Sequence, residues 1–295
     1  MVTPATELKR RQLLAYIESE LKLHAAVKGI VAIGSLATGL ARPDSDIDCI
    51  AFLDPYNDYI LPAEFIWLPE DKSYHSIFIE DEATQARGYP LDFLRVDLRI
   101  WTAPGFSWPE GRKAELANGW IAYDRDGMIS ELIAQHTNYA DDLRITRLDE
   151  AVTWLDQHLY EGGPDKRWDS LGPMIAHDRL QAAYQYLVQA LFALNRRWLP
   201  WRNRQMSALL QLPWLPQGFS ERVQSAVQAR SFDKSGYDQR VAALRSLFAD
   251  VQAKCAQEGI YKEDPIGEAF MRSNQEPGRS WNMDAWNREH RKLFG

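Results

Sequence analysis

Apolar positions recur with two different periods along this chain of 295 residues. Near the N-terminus Leu13, Leu14, Ile17 and Leu21 follow a helical spacing. Thr3 and Pro4 supply a cap and a first-turn proline. Together they predict an amphipathic helix over about 5–24. The runs 28–33 and 47–53 are short, apolar and bounded by turn residues, which predicts two paired strands. A short helix is expected between them, from Ser35 to Gly39. Over 91–101 Val96, Leu98 and Ile100 alternate with Arg95, Asp97, Arg99 and Trp101, the period of a strand with one buried face. Short strands are also expected over 74–79 and 120–123. Short helices are expected over 113–119 and 128–135. The proline-rich stretch 54–73 reads as a connecting excursion.

Beyond residue 137 the period is helical throughout. Leu180, Tyr184, Leu187, Leu191 and Leu194 form the clearest apolar stripe, on a helix predicted to start at Asp178. Further helices are expected over 148–159, 203–212, 219–229, 237–257 and 283–293, and a loop over 161–173. The fold class predicted is α+β. A small mixed β-sheet with flanking helices occupies residues 1–137, and an α-helical bundle occupies residues 138–295.

The chemistry concentrates in one stretch, IGSLATGLARPDSDIDCIAFL, residues 33–53. Asp46 and Asp48 are two positions apart, so on a strand they project from one face while Ile47 and Cys49 enter the core. Two adjacent carboxylates repel unless a cation lies between them. A hard divalent ion with oxygen ligands, Mg2+ with phosphate oxygens, resolves this best.

Gly34, Ser35, Asp46 and Asp48, with the Asp44-Ser45 lead-in, resemble the signature of the nucleotidyltransferase superfamily that includes DNA polymerase beta and the antibiotic nucleotidyltransferases. The segment GWIAYDRDGMISELI resembles one that closes the catalytic domain in the antibiotic enzymes. The segment ALFALNRRWLPWRNRQ, with Asn195, Trp198, Pro200, Arg202 and Arg204, resembles the helical C-terminal domain of related bacterial proteins. One departure is Thr38, where many relatives carry Arg before the second glycine. Arg42 is the candidate to supply that charge.

The resemblance implies Mg2+-dependent transfer of a nucleoside monophosphate, AMP from ATP in the leading case, to a hydroxyl of a small molecule such as an aminoglycoside or lincosamide. ATP or another nucleoside triphosphate is the co-substrate, and two Mg2+ ions are the cofactors. Asp46 and Asp48 would bridge the metals. Asp97, the carboxylate expected from a later strand, would either complete one metal site or accept the hydroxyl proton; Asp92 is the second choice. Gly34 and Ser35 would meet the phosphates, and Arg42, Arg202 and Arg204 would hold the triphosphate, the last two from the second domain. The rival readings are transfer to a protein or RNA acceptor, and a regulatory nucleotide-binding module without catalysis.

Composition narrows the choice of partner. A net charge of −7 disfavours a nucleic-acid partner, which needs a basic surface, and favours a cationic acceptor. Two cysteines make no disulfide framework. With no signal-peptide block and no apolar run long enough for a membrane, the cytoplasm is the expected location. The six histidines lack metal-ligand spacing.

Overall fold

The computed structural model describes residues 2–78, 81–229, 231–275 and 283–294. The chain divides into two compact units, Met1–Asn138 and Tyr139–Gly295.

The first unit is built on one six-stranded mixed sheet. Its elements run α1 (Pro4–Ser19), β1 (Val27–Ala32), α2 (Gly34–Thr38), β2 (Ile47–Leu53), β3 (Glu64–Leu68) and β4 (Ser73–His75). There follow α3 (Glu82–Arg87), β5 (Tyr89–Asp97), α4 (Leu98–Trp101), α5 (Glu110–Ala117), β6 (Trp120–Asp124) and α6 (Met128–Thr137). The strand order is β4-β3-β5-β2-β1-β6. β2 and β5 pair in parallel, and the other neighbours pair antiparallel.

Both faces of the sheet are covered, because the central strands carry apolar residues at odd and even positions alike. Ile47, Cys49, Ala51 and Leu53 of β2 pack with Leu13, Tyr16 and Ile17 of α1. Ile50 and Phe52 join Val96, Trp101, Trp108 and Ile133 on the opposite face. A sheet buried on both faces reads as continuous apolar runs, which is why β2 has no simple alternation. Thr3 caps α1 by accepting the Thr6 N–H at 3.1 Å, as its sequence predicts. Asp124 caps α6, accepting from the Ser130 N–H at 2.8 Å and its hydroxyl at 2.6 Å.

Three expectations for this unit are corrected. The stretch 54–73 contains a full strand, β3. Phe65, Ile66, Trp67 and Leu68 are all buried, and the bracketing prolines hid the run. Arg95 ties the excursion before it to β5, donating to the carbonyls of Asp58 at 2.9 Å and Leu61 at 3.3 Å. The strand expected over 74–79 ends at His75, and Ile79 lies outside the described residues. The strand expected over 91–101 ends at Asp97. Asp97 caps α4 by accepting the Arg99 N–H at 3.0 Å, so Leu98 and Trp101 turn inward while Ile100 stays half exposed.

The second unit is helical: α7 (Asp141–Leu159), α8 (Gly163–Leu171), α9 (Pro173–Leu194), α10 (Gln205–Leu209), α11 (Phe219–Val227), α12 (Lys234–Gln257), α13 (Pro265–Asn274) and α14 (Met283–Phe294). No strand occurs among its described residues. Its core joins α7, α9, α11, α12 and α13 through Leu155, Leu187, Val223, Leu244 and Ala269. The loop expected over 161–173 is instead α8, started by Pro164 in its first turn, with Gly162 and Gly172 lying just outside it. Asn195 locks the end of α9 to a distant segment: its side chain donates to the Trp214 carbonyl at 2.9 Å and accepts the Trp214 N–H at 2.8 Å. No described helix is long and apolar enough to cross a membrane.

Candidate active site

The turn from β1 into α2 meets the start of β2. The Ile33 N–H donates to the Asp48 carbonyl at 2.9 Å, which brings the Gly34–Ser35 turn beside the Asp48 side chain. Gly34 has φ of +58°, and a Cβ built there would lie 2.8 Å from the Asp48 carboxylate oxygen Oδ2. Both facts require glycine: the left-handed backbone disfavours a side chain, and the carboxylate already fills the space. α2 ends after one turn at Gly39, with φ of +80°. Its first N–H groups have no acceptor within so short a helix.

The parallel register of β2 and β5 decides which carboxylate stands beside Asp48. Asp48 pairs with Asp92, and Leu53 pairs with Asp97. Directly paired residues share a face, so Asp48 and Asp92 project together, and Asp46 follows the same parity. On β3, Glu64 pairs with Asp92, extending the row to a fourth carboxylate. The charges feel one another. Burial raises the Asp92 carboxyl above its ordinary value, with further upward pushes from Asp48, Glu64 and Asp46, while Arg112 opposes them.

Asp97 does not join this row, contrary to expectation. It is five positions beyond Asp92, an odd offset that turns it to the other face and carries it roughly 16 Å along the strand. There it is bonded to Arg99, which donates from Nε to Oδ1 at 3.3 Å and from NH2 to Oδ2 at 3.2 Å. That hydrogen bonding holds the Asp97 carboxyl below the usual range. The misplacement follows from reading 91–101 as one strand with a single polar face; Asp92 was the second choice and is the residue brought to Asp48.

Among the arginines, Arg42 is exposed and turned to Asp44, with Nε at 3.1 Å from Oδ1 and NH2 at 3.3 Å from Oδ2. Arg202 and Arg204 belong to the second unit. Arg202 donates to Gln185 at 2.6 Å and to Gln205 at 2.9 Å, and Arg204 is exposed on the same short turn.

Sequence reading passed over Glu64, Arg112 and Lys9. Glu64 and Arg112 become visible only once β3 and the register are known. Lys9 carried a signal: it falls with Thr6, Leu13 and Tyr16 on the buried stripe of α1. The donor set of the carboxylate row is all oxygen, which suits a hard divalent cation. Among the described residues no three acidic, thiol or imidazole groups have converged to hold one.

Residues 10–115 match the nucleotidyltransferase domain family. The matched span runs from α1 through most of α5 and includes Gly34, Ser35, Asp46, Asp48 and Asp92. A nucleotidyltransferase domain supports transferase activity. The chain is also similar, at 11% identity and a TM-score of 0.41, to a nucleotidyltransferase-like protein from Exiguobacterium sibiricum 255-15, over 92% of this chain and 81% of that one. No curated protein matches the chain.

Proposed function

We propose that this protein is a Mg2+-dependent nucleotidyltransferase that moves AMP from ATP to a hydroxyl of a small cationic acceptor. The observation that carries the reading is the register of Asp48 against Asp92, with Asp46 on the same face and Gly34 against Asp48, inside the matched nucleotidyltransferase domain. Asp46, Asp48 and Asp92 would hold the metal, with Asp92 taking the role first expected of Asp97. Bound Mg2+ would supply the positive charge that lets a triphosphate lie against carboxylates. Gly34 leaves room for phosphate to approach the backbone, and the Ser35 hydroxyl would donate to a phosphate oxygen. As the acceptor hydroxyl gives up its proton to a carboxylate oxygen of Asp92, its oxygen attacks the α-phosphorus, the bond from that phosphorus to the α–β bridging oxygen breaks, and pyrophosphate leaves. The work of these residues is placement and charge compensation.

The acceptor class is inferred from charge. Glu64 extends the acidic row to the exposed end of β3, and the chain's net charge is −7. An acidic surface raises the local concentration of a cation, which favours an aminoglycoside-like or lincosamide-like amine. The test is pyrophosphate release with Mg2+ and each of the four nucleoside triphosphates, with and without such acceptors. Acceptor-dependent release that vanishes in Asp48→Asn is expected. Release from Asp48→Asn at the wild-type rate would refute the mechanism. Triphosphate binding without release to any small acceptor would point to a protein acceptor or a regulatory role.

A further inference from the structure

Lys9 is only 5% exposed, unusual for a lysine. It belongs to a helix fastened to the loop that carries the site. The Thr3 N–H donates to the Gly39 carbonyl at 3.0 Å, and the Thr3 hydroxyl donates to the Ala41 carbonyl at 2.7 Å. The Ala41 N–H donates to the Thr6 hydroxyl at 2.9 Å. One turn further on, the Arg10 guanidinium donates to the Leu36 carbonyl at 3.0 Å. Thr6 and Lys9 share the buried stripe of α1, which puts the lysine on the side of the helix that Thr6 fastens to the loop. The carboxylate of Asp46, and after it that of Asp44, acts on its ammonium. It makes no hydrogen bond or ion pair among the described residues.

The lysine buries its stem while its ammonium tip keeps contact with solvent, and a methionine would fill the space of that stem. Burial also lowers the Lys9 pKa, against an upward pull from Asp46 and Asp44. Arg42, the cation expected to serve this loop, is committed to Asp44 at the surface. The carboxylate row by itself repels a triphosphate, so a cation held beside the loop and not bonded to those carboxylates has an anion still to receive. We propose that Lys9 is a further nucleotide-binding residue, its ammonium donating to an oxygen of the β- or γ-phosphate of the substrate triphosphate. This rests on the nucleotidyl-transfer reading above.

The test is calorimetric titration of the full chain with ATP and with AMP, in EDTA and in Mg2+, for wild type, Lys9→Met and Lys9→Gln, with the melting temperature of each. A charged hydrogen bond to phosphate is worth about 10- to 100-fold in affinity. ATP affinity is expected to fall by that factor in both variants, AMP affinity to stay within about twofold, and the melting temperature not to fall. Wild-type ATP affinity in both variants would overturn the proposal. So would equal losses for ATP and AMP with a lower melting temperature, which would mark Lys9 as a support of the fold. Failure of the wild type itself to bind ATP would bring down the nucleotidyl-transfer reading and this proposal together.

Discussion

Replacing Asp92 with Asn separates the carboxylate row from every other acidic cluster in the chain. Neighbouring strands lie about 4.8 Å apart, and two unit charges about 5 Å apart at an effective dielectric of about 20 repel by about 3 kcal/mol. Asp92 is partly exposed, and solvent screening reduces this to about 1 kcal/mol. The sign follows from the raised pKa of Asp92. As pH rises, the unfolded chain ionises first and the folded state resists. Stability is therefore lost from the ordinary carboxylate range upward, until the folded group has ionised as well. Asn removes that loss. At pH 7 in EDTA, Asp92→Asn is expected to melt about 4 °C above wild type. Adding Mg2+ should stabilise wild type and leave the variant nearly unmoved. Pyrophosphate release should fall about 100-fold or more. Asp97→Asn, which retains a capping side chain for α4, should keep turnover within about threefold. Differential scanning calorimetry at several Mg2+ concentrations, with the release assay alongside, measures all of this. If Asp97→Asn lost turnover while Asp92→Asn kept it, the assignment from register would be refuted. An Asp92→Asn protein that melts below wild type without metal would refute the electrostatic account.

Gly34→Ala should lose about 1–2 kcal/mol in urea unfolding and weaken ATP binding at least as strongly, because its methyl group would meet the Asp48 carboxylate. Asp149 is buried and holds Arg272 through two hydrogen bonds of 2.8 Å and Tyr261 through one of 3.0 Å. Asp149→Ala should cost about 3 kcal/mol, the low end for a broken buried pair because Arg272 can reach water; urea unfolding followed by circular dichroism checks it. Burial, reinforced by Arg167 and Arg179, depresses His158 from 6.5 to about 4. The unfolded chain takes up that proton first, so stability present above pH 6.5 should decline by up to about 3 kcal/mol as pH falls to about 4. His158→Gln should flatten that part of the stability profile in melts taken across the range.

The α+β class, the Gly34–Ser35 turn and the Asp46–Asp48 pair were legible because each is local. A glycine that must adopt positive φ, and two carboxylates at a spacing of two, announce themselves without reference to the rest of the chain. β3 was not legible, because Phe65 to Leu68 face apolar neighbours on both sides of the sheet and show no alternation. α8 was hidden by the glycines that flank it. The carboxylate that stands beside Asp48 was the least legible feature. Choosing between Asp92 and Asp97 requires the register of β5 on β2, a long-range property that neither strand encodes alone. Residues 95–100 also alternate well enough to pass for a strand, although Asp97 ends one. Lys9 went unnoticed for another reason: its meaning depends on being buried, and a lysine is ordinarily read as solvated.

The parallel pairing of β2 with β5 bears on how the protein comes into being. A parallel pair cannot be closed by a hairpin, and here the intervening chain makes β3, β4 and α3 before β5 returns to the centre of the sheet. On a ribosome, the glycine turn and the first two acids emerge long before their partner. A nascent chain that has not yet delivered β5 holds Asp46 and Asp48 without Asp92. Closing that loop carries an entropic cost, and pairing β5 with β2 presses like charges together. Anything that lowers that repulsion, a cation or a proton, would favour completion of the sheet.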